Sequence, residues 1–462
     1  MLLPLLLALF APSAAAADYD ADLRRETLMH TKALIRLDTS NPPGNEIVAA
    51  KYIKQALEKD GIETVLYTST GTRTSAIARL KGDGSKKPFL LMCHTDVVPA
   101  DRAGWTVPPF EATLKDDYLY GRGAADIKSL CGAQMAVLSW LARTKTPLAR
   151  DVIFFAEADE ENGTSPRHIE QLLKEKPELI DAEYGINEGG RMVWSYNRVT
   201  EVRVQAAEKE YMDLTLKAKG RPGHASRPTP DNAVARLARA VAKLSSHRFP
   251  VRLNPVSQGY LERQAELDSS VRASVRALLA APEGPRRDAA AEALVAVSPE
   301  LAALVRETVT PTMLKAGYKS NVIPGDAYAT LNARLLPGRK PEELIADIKA
   351  IVGDPGIEFV FEPPTRAPVG AMPVDTPLYN AITKAASKQS PAPAVMPFMA
   401  AWTTDSADLR ARGTIVYGVD PPTTDEDDLR THGDDERVSL TGLDYFADFL
   451  RDVTVSMAAK GK

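Results

Sequence analysis

Cysteine is almost missing: Cys93 and Cys131 are the only two in 462 residues. Two cysteines cannot build a disulfide framework or a cysteine-rich metal site, so any metal must be held by His, Asp and Glu. Cys93 reads as a core residue of its strand, and nothing in the sequence places it beside Cys131. An excess of positive charge is missing too, with 57 Lys and Arg against 61 Asp and Glu and a formal charge of −4. That excludes the electrostatic footprint of a nucleic-acid-binding protein. What is present is ordinary for a globular chain, 44% hydrophobic and 26% charged, which disfavours disorder. The length suggests about three domains, or two larger ones.

Long apolar runs are also lacking. The one at the N-terminus, LLPLLLALF over residues 2–10, is too short to span a bilayer. Pro12, Ser13 and Ala14 to Ala17 follow before Asp18, so residues 1–17 read as a secretory signal peptide, although no Lys or Arg precedes the run. The alternative is a buried N-terminal helix. The expected mature chain is exported, periplasmic or secreted, and carries no membrane span.

The patterning then divides the chain. Residues 20–60 recur in apolar character at helical spacing, interrupted by the turn Asn41-Pro42-Pro43-Gly44. Four short continuous apolar runs, at 88–93, 152–158, 182–187 and 414–419, read as buried strands of an α/β, mostly parallel sheet. Between 205 and 365 the strands alternate instead, as in Tyr211 to Lys219 and Ala327 to Leu335, with helices at Asn232 to Leu244 and from Pro341 to Gly353. This describes an α+β domain inserted between two parts of a catalytic domain, 18–204 and 366–462. An Ala-, Arg- and Glu-rich stretch near 261–309 reads as a helical hairpin within the insert.

Acidic and histidine residues fall where those strands end. His94-Thr95-Asp96 follows the first; in an extended chain residues two apart face the same way, so Asp96 can accept the far N–H of the His94 imidazole. Asp159-Glu160-Glu161 follows the second. Adjacent residues on an extended segment point apart, so one glutamate can hold metal while the other handles a proton. Asp126 precedes a helix, Glu188 ends another strand and His432 lies near the chain end. Each alone has a bland reading as a turn or a solvated loop. Together they form a set of five candidate ligands, His94, Asp126, Glu161, Glu188 and His432, since open α/β sheets gather ligands at the carboxyl ends of their strands. Three clustered carboxylates repel unless cations join them. Two Zn²⁺ ions would leave a charge of about +1, which one hydroxide neutralises.

The ordered segments HTDVVPA (94–100), GRGAADIKS (121–129), ADEENG (158–163), NEGG (187–190), GRPGHASRP (220–228), NVIPGDAYATLNARLLPG (321–338) and HGDDERV (432–438) resemble the motifs of the co-catalytic di-zinc exopeptidases and amidohydrolases. That superfamily includes aminoacylases, carboxypeptidase S, carnosine dipeptidases and succinyl-diaminopimelate desuccinylase. The resemblance spans residues 30 to 440 and lies towards the carboxypeptidase S and N-acyl-amino-acid hydrolase branch. It implies that Asp126 bridges two zinc ions, that His94 and Glu188 complete one site and Glu161 and His432 the other, and that Asp96 orients His94. Glu160 is implied as general base. His224 is implied as a donor to the tetrahedral oxyanion, Arg334 and Asn321 as binders of a substrate carboxylate, and the insert as a lid that can join two copies in a homodimer. Cobalt or manganese could replace zinc.

From this set the expected activity is cleavage of an amide bond next to a free carboxylate, in a small peptide or an N-acyl amino acid. Taken alone, His224 suits a plain turn and Arg334 a surface ion pair. Thr404-Asp405 stands where the resembling family has Gly-Gly-Thr-Asp, with Trp402-Thr403 in place of the glycines. His30, His168 and His247 read as packing or surface residues. Rival readings are a non-catalytic two-lobed exported protein that binds peptide or metal, and a two-metal phosphoesterase.

Overall fold

A computed structural model describes residues 14–162, 166–361, 368–424, 427 and 430–461. The segment 1–13 of the expected signal peptide lies outside the described residues. The chain folds as two units, one of residues 1–202, 377–394 and 420–462 and the other of residues 203–376 and 395–419. No helix among the described residues is long and apolar enough to cross a membrane.

The first unit begins with helices α1 (Ala14–Ile35) and α2 (Ile47–Glu58), then strands β1 (Glu63–Thr70), β2 (Arg73–Leu80), β3 (Phe89–His94), β4 (Thr113–Lys115) and β5 (Tyr118–Tyr120). Helix α3 (Lys128–Arg143), β6 (Val152–Glu157), α4 (His168–Glu175), β7 (Tyr184–Asn187) and β8 (Arg191–Ser195) follow. The centre of its sheet is parallel, β6 beside β3 beside β7, while β2 joins β6 and β1 joins β2 antiparallel. Every residue of β3 and β6 is buried, as the continuous apolar runs lead one to expect of strands covered on both faces. Each large side chain there contributes about 1.5–3 kcal/mol relative to exposure. Gly132 of α3 sits so close to α1 that a Cβ would come 2.3 Å from Thr31 Oγ1, so glycine is what lets these helices meet. The helix Leu440–Ala458, capped by Ser439 Oγ accepting the N–H of Gly442 at 3.2 Å, closes the unit.

Strand β9 (Arg198–Glu208) leads into the second unit: β10 (Glu210–Lys219), β11 (Gly223–His224), α5 (Ala233–Ser246), α6 (Pro255–Leu267), α7 (Arg272–Ala280), α8 (Pro285–Val297) and α9 (Pro299–Ala303). Then come β12 (Thr308–Ala316), β13 (Val322–Ile323), β14 (Asp326–Leu335), α10 (Pro341–Val352) and β15 (Ile357–Phe361). A four-stranded antiparallel sheet in the order β12-β14-β10-β15 buries Leu214, Leu216, Ala329 and Leu331 against Leu237 of α5 and Ile348 of α10. Its other face is mostly polar, with Val360 and Met313 exposed among residues such as Thr215 and Thr330, close to the two-faced pattern the alternation anticipated. Two expectations are revised here. The helical hairpin near 261–309 is four helices, starting at Pro255, and residues 395–419, grouped by sequence with the catalytic part, fold with this unit.

Candidate metal centre

The parallel strands deliver their chemistry at one end. His94 is the last residue of β3, Glu160 and Glu161 open a short turn of 3₁₀-helix after β6, and Glu188 follows β7. Asp126 comes from the loop before α3, and His432 from the loop before the strand Arg437–Ser439. All belong to the first unit, and the fold draws them together. One carboxylate oxygen of Asp126 lies 3.0 Å from His94 Nε2 and the other 2.9 Å from His432 Nε2. Glu188 Oε2 is 3.6 Å from His94 Nε2, and Glu161 Oε1 is 3.1 Å from His432 Nε2. His94, Asp126 and Glu161 each offer a ligating atom within 4.8 Å of the others, and so do His94, Glu160 and Glu188.

Charge explains the titration of these groups. Burial opposes an imidazolium at His94, yet Glu188 and Asp126 outweigh it and hold its pKa well above the usual value. Hydrogen bonds to Asp126 and Glu161 lift His432 to about 10. Burial likewise opposes the charge of Asp126, but the two histidines hold its carboxyl below the ordinary range; burial leaves that of Glu188 above it. The carboxylates thus favour positive charge between them. Two imidazoles and three carboxylates, with no thiolate, fit a pair of borderline-hard divalent cations.

The surroundings differ from the expectation in two places. The nearest acceptor for the far nitrogen of His94 is the backbone carbonyl of Asp96, 3.0 Å from Nδ1, with the Asp96 carboxylate at 3.6 Å. The two-residue alternation stops because β3 ends at His94. The Asp96 carboxylate instead accepts the N–H groups of Glu160 at 3.2 Å and Glu161 at 3.1 Å. Those glutamates diverge because they lie on a 3₁₀ turn, not on an extended segment.

Sequence reasoning passed over two carboxylates. Glu436, fully buried, accepts the backbone N–H groups of Gly123, Ala125 and Asp126 at 2.7–3.1 Å and a guanidinium N–H of Arg122 at 2.6 Å. It moulds the loop that carries Asp126. Asp420 accepts the N–H of Gly189 at 3.1 Å, and burial with Glu188 and Asp126 nearby drives its carboxyl well above the usual range. Their only signal was acidity next to a motif. The pairing of the cysteines is resolved as well: Cys93 and Cys131 form a disulfide that ties the end of β3 to α3.

In the second unit, His224 and Asn321 are brought side by side. The β11 and β13 ribbon pairs His224 with Val322, and the Asn321 carbonyl accepts the N–H of Ala225 at 3.0 Å. His224 Nδ1 meets Ser226 Oγ at 2.7 Å. Arg334 stands on the polar face of β14, its Nε donating to Asn332 Oδ1 at 3.1 Å and its guanidinium 4.9 Å from the centre of the Tyr211 ring. Among the described residues no carboxylate pairs with it, unlike the ion pair that its sequence alone would suit. Thr404 turns inward, donating to Glu208 at 2.9 Å, and Trp402 is half-exposed.

A sheet that gathers candidate metal ligands at its carboxyl ends fits a metal-dependent hydrolase, and comparison with known proteins gives the family. Residues 90–455 match the model of peptidase family M20/M25/M40, so the chain belongs to that family and is a hydrolase acting on amide bonds. It is 29% identical over 380 residues to the human N-fatty-acyl-amino acid synthase/hydrolase PM20D1, covering 80% of this chain and 74% of that one. Its fold is similar to that of the M20 family metallo-carboxypeptidase Sso-CP2 from Sulfolobus solfataricus, with a TM-score of 0.69, 21% identity and coverage of 93% and 99%. It is also similar to that of a dinuclear metal-binding M20 peptidase, YXEP, from Bacillus subtilis, with a TM-score of 0.57, 15% identity and coverage of 94% and 98%.

Proposed function

We propose that the protein is an exported two-zinc hydrolase that cleaves an amide bond next to a free carboxylate, in a short peptide or an N-acyl amino acid. The observation that carries this reading is Asp126, whose two oxygens each face a different histidine at 2.9–3.0 Å, with Glu188 beside one and Glu161 beside the other. His94, Glu188 and Asp126 would hold one ion, and Asp126, Glu161 and His432 the second. Ions held there would supply Lewis-acid polarisation of the carbonyl and would lower the pKa of water towards 7.

The protein's own groups do the rest. Glu160, grouped with His94 and Glu188 but not needed as a ligand, takes a proton from the attacking water as its oxygen bonds to the amide carbon. It returns that proton to nitrogen as the C–N bond breaks, so acid and amine leave with the proton count balanced. Asp96 holds the Glu160-Glu161 turn through their N–H groups. His224 is assigned to the developing oxyanion, and Arg334, with Asn321, to the substrate carboxylate, for which a guanidinium with no carboxylate partner among the described residues is suited. The 29%-identical human relative, a hydrolase of N-fatty-acyl-amino acids, supports an acyl-amino-acid substrate class. The test is hydrolysis of a panel of N-acyl amino acids and dipeptides by chelated and zinc-restored protein. Zinc-dependent release of the amino acid is the expected result. Zinc binding without any hydrolysis would point to a binding protein.

A further inference from the structure

The turn Asn41-Pro42-Pro43-Gly44 has no part in the chemistry described so far, yet its first residue is buried directly behind the centre. Asn41 Nδ2 donates to Asp96 Oδ2 at 2.8 Å and to Asp159 Oδ1 at 3.1 Å. Its Oδ1 accepts an N–H of Arg73 at 2.9 Å, which fixes the amide with its NH₂ towards the two carboxylates. Arg73 also forms an ion pair with Asp159, and its Nη1 is 3.8 Å from Glu46 Oε1. Glu46 is buried with both carboxyl oxygens lacking a hydrogen bond, and burial with Asp96 pushes it up to about 7. Of the two carboxylates, Asp159 is the nearer to the guanidinium.

Asp159 is the residue where the chain turns. Its φ of +75° lies in the left-handed region, which costs a non-glycine residue of order 1 kcal/mol or more and persists only where surroundings impose it. That conformation aims the next two N–H groups, of Glu160 and Glu161, at Asp96. Asn41 ties the two ends of this arrangement together. Without the clamp, Asp159 could relax to negative φ and the glutamates would lose their direction.

We propose that Asn41 and Arg73 are positioning residues that hold the Asp159-Glu160-Glu161 turn, keeping Glu161 on the second metal site and Glu160 directed at the attacking water. This rests on the two-zinc reading above. Removal of such outer partners costs about 10–100-fold in metal affinity or activity.

The experiment measures zinc per chain and the affinity of each zinc by competition with a chelator, alongside kcat and KM, in wild type, Arg73→Met, Arg73→Lys and Asn41→Asp. Wild type is expected to hold two zinc ions. Arg73→Met should keep one and bind the second about 10–100-fold more weakly, with kcat reduced more than tenfold and KM little changed. Arg73→Lys, which keeps the charge, should recover part of both. If Arg73→Met does not fold, Asn41→Asp carries the test, because it retains the ion pair and the shape while setting a further carboxylate against Asp96 and Asp159; it should loosen the same zinc. Variants with two zinc ions at wild-type affinity and unchanged kcat would overturn this inference alone. A wild-type chain that binds no zinc pair would overturn the reading beneath it, and this inference with it.

Discussion

Glu436 Oε1 accepts the backbone N–H of Asp126 at 3.0 Å, across 310 residues of chain. The same carboxylate answers the buried guanidinium of Arg122. Glu436→Ala would leave that cation and three N–H groups unpaired, so it should destabilise the metal-free protein by about 3–5 kcal/mol. Urea unfolding followed by circular dichroism measures it. A loss below about 1 kcal/mol would mean the loop is held by other groups.

Glu160 has a different kind of consequence. Glu160→Gln removes the proton acceptor but none of the five proposed ligands, so turnover should fall by about 10²–10⁴ while zinc content stays at the wild-type value. Metal analysis beside steady-state kinetics reads both. An active variant would move the base elsewhere.

Arg334 addresses recognition. Arg334→Ala should lower kcat/KM by about 10–100-fold, the worth of a charge-assisted bidentate contact, for substrates with a free carboxylate. For the matching carboxamides it should change little. Equal losses on both would place the guanidinium away from the substrate carboxylate.

His168 sets a pH dependence separate from the centre. It is buried between Ser69 Oγ at 2.7 Å and Ser75 Oγ at 2.6 Å, and burial lowers its pKa to about 4. The folded value lies below the unfolded one, so the fold holds the neutral ring. Its stabilising effect is complete above about pH 6.5 and is lost as pH falls towards 4. The advantage of wild type over His168→Asn, measured by urea unfolding of the metal-free proteins, should shrink by about 3 kcal/mol between pH 7 and 4. A difference that does not change with pH would contradict this.

The disulfide makes a further prediction about stability. Closing a segment with a sequence separation of 38, it should stabilise the fold by about 4 kcal/mol through the unfolded chain. The double variant Cys93→Ala, Cys131→Ala measures that in the same unfolding assay. No loss on removing it would show that the cross-link adds nothing to the packing of β3 on α3.

Much of this was legible in the sequence because it depended on local pattern. Strands β3 and β6 announce themselves as unbroken apolar runs, and β10 and β14 as alternation, since burial on two faces or one dictates each. The cluster of candidate ligands was legible because chemistry restricts metal-holding groups to few residue types, and the sheet gathers them at its strand ends. What depended on distant chain was not legible. Glu436 acts on backbone N–H groups, which carry no sequence signature, and Asp96 works by accepting the amides of Glu160 and Glu161 beyond another strand. The pairing of Cys93 with Cys131 required knowing that α3 lies on β3. Three of the four helices over 255–303 were marked locally and still read as a hairpin: Asn254-Pro255, Gly284-Pro285 and Ser298-Pro299 each open a helix, with Asn254 and Ser298 as caps.

The central claim is a pair of metals divided by Asp126, and zinc-edge anomalous diffraction from zinc-loaded crystals tests it directly. The account predicts two peaks, one between Asp126, His94 and Glu188 and the other between Asp126, His432 and Glu161. No peak at Asp126, or zinc held only elsewhere on the protein, would contradict it.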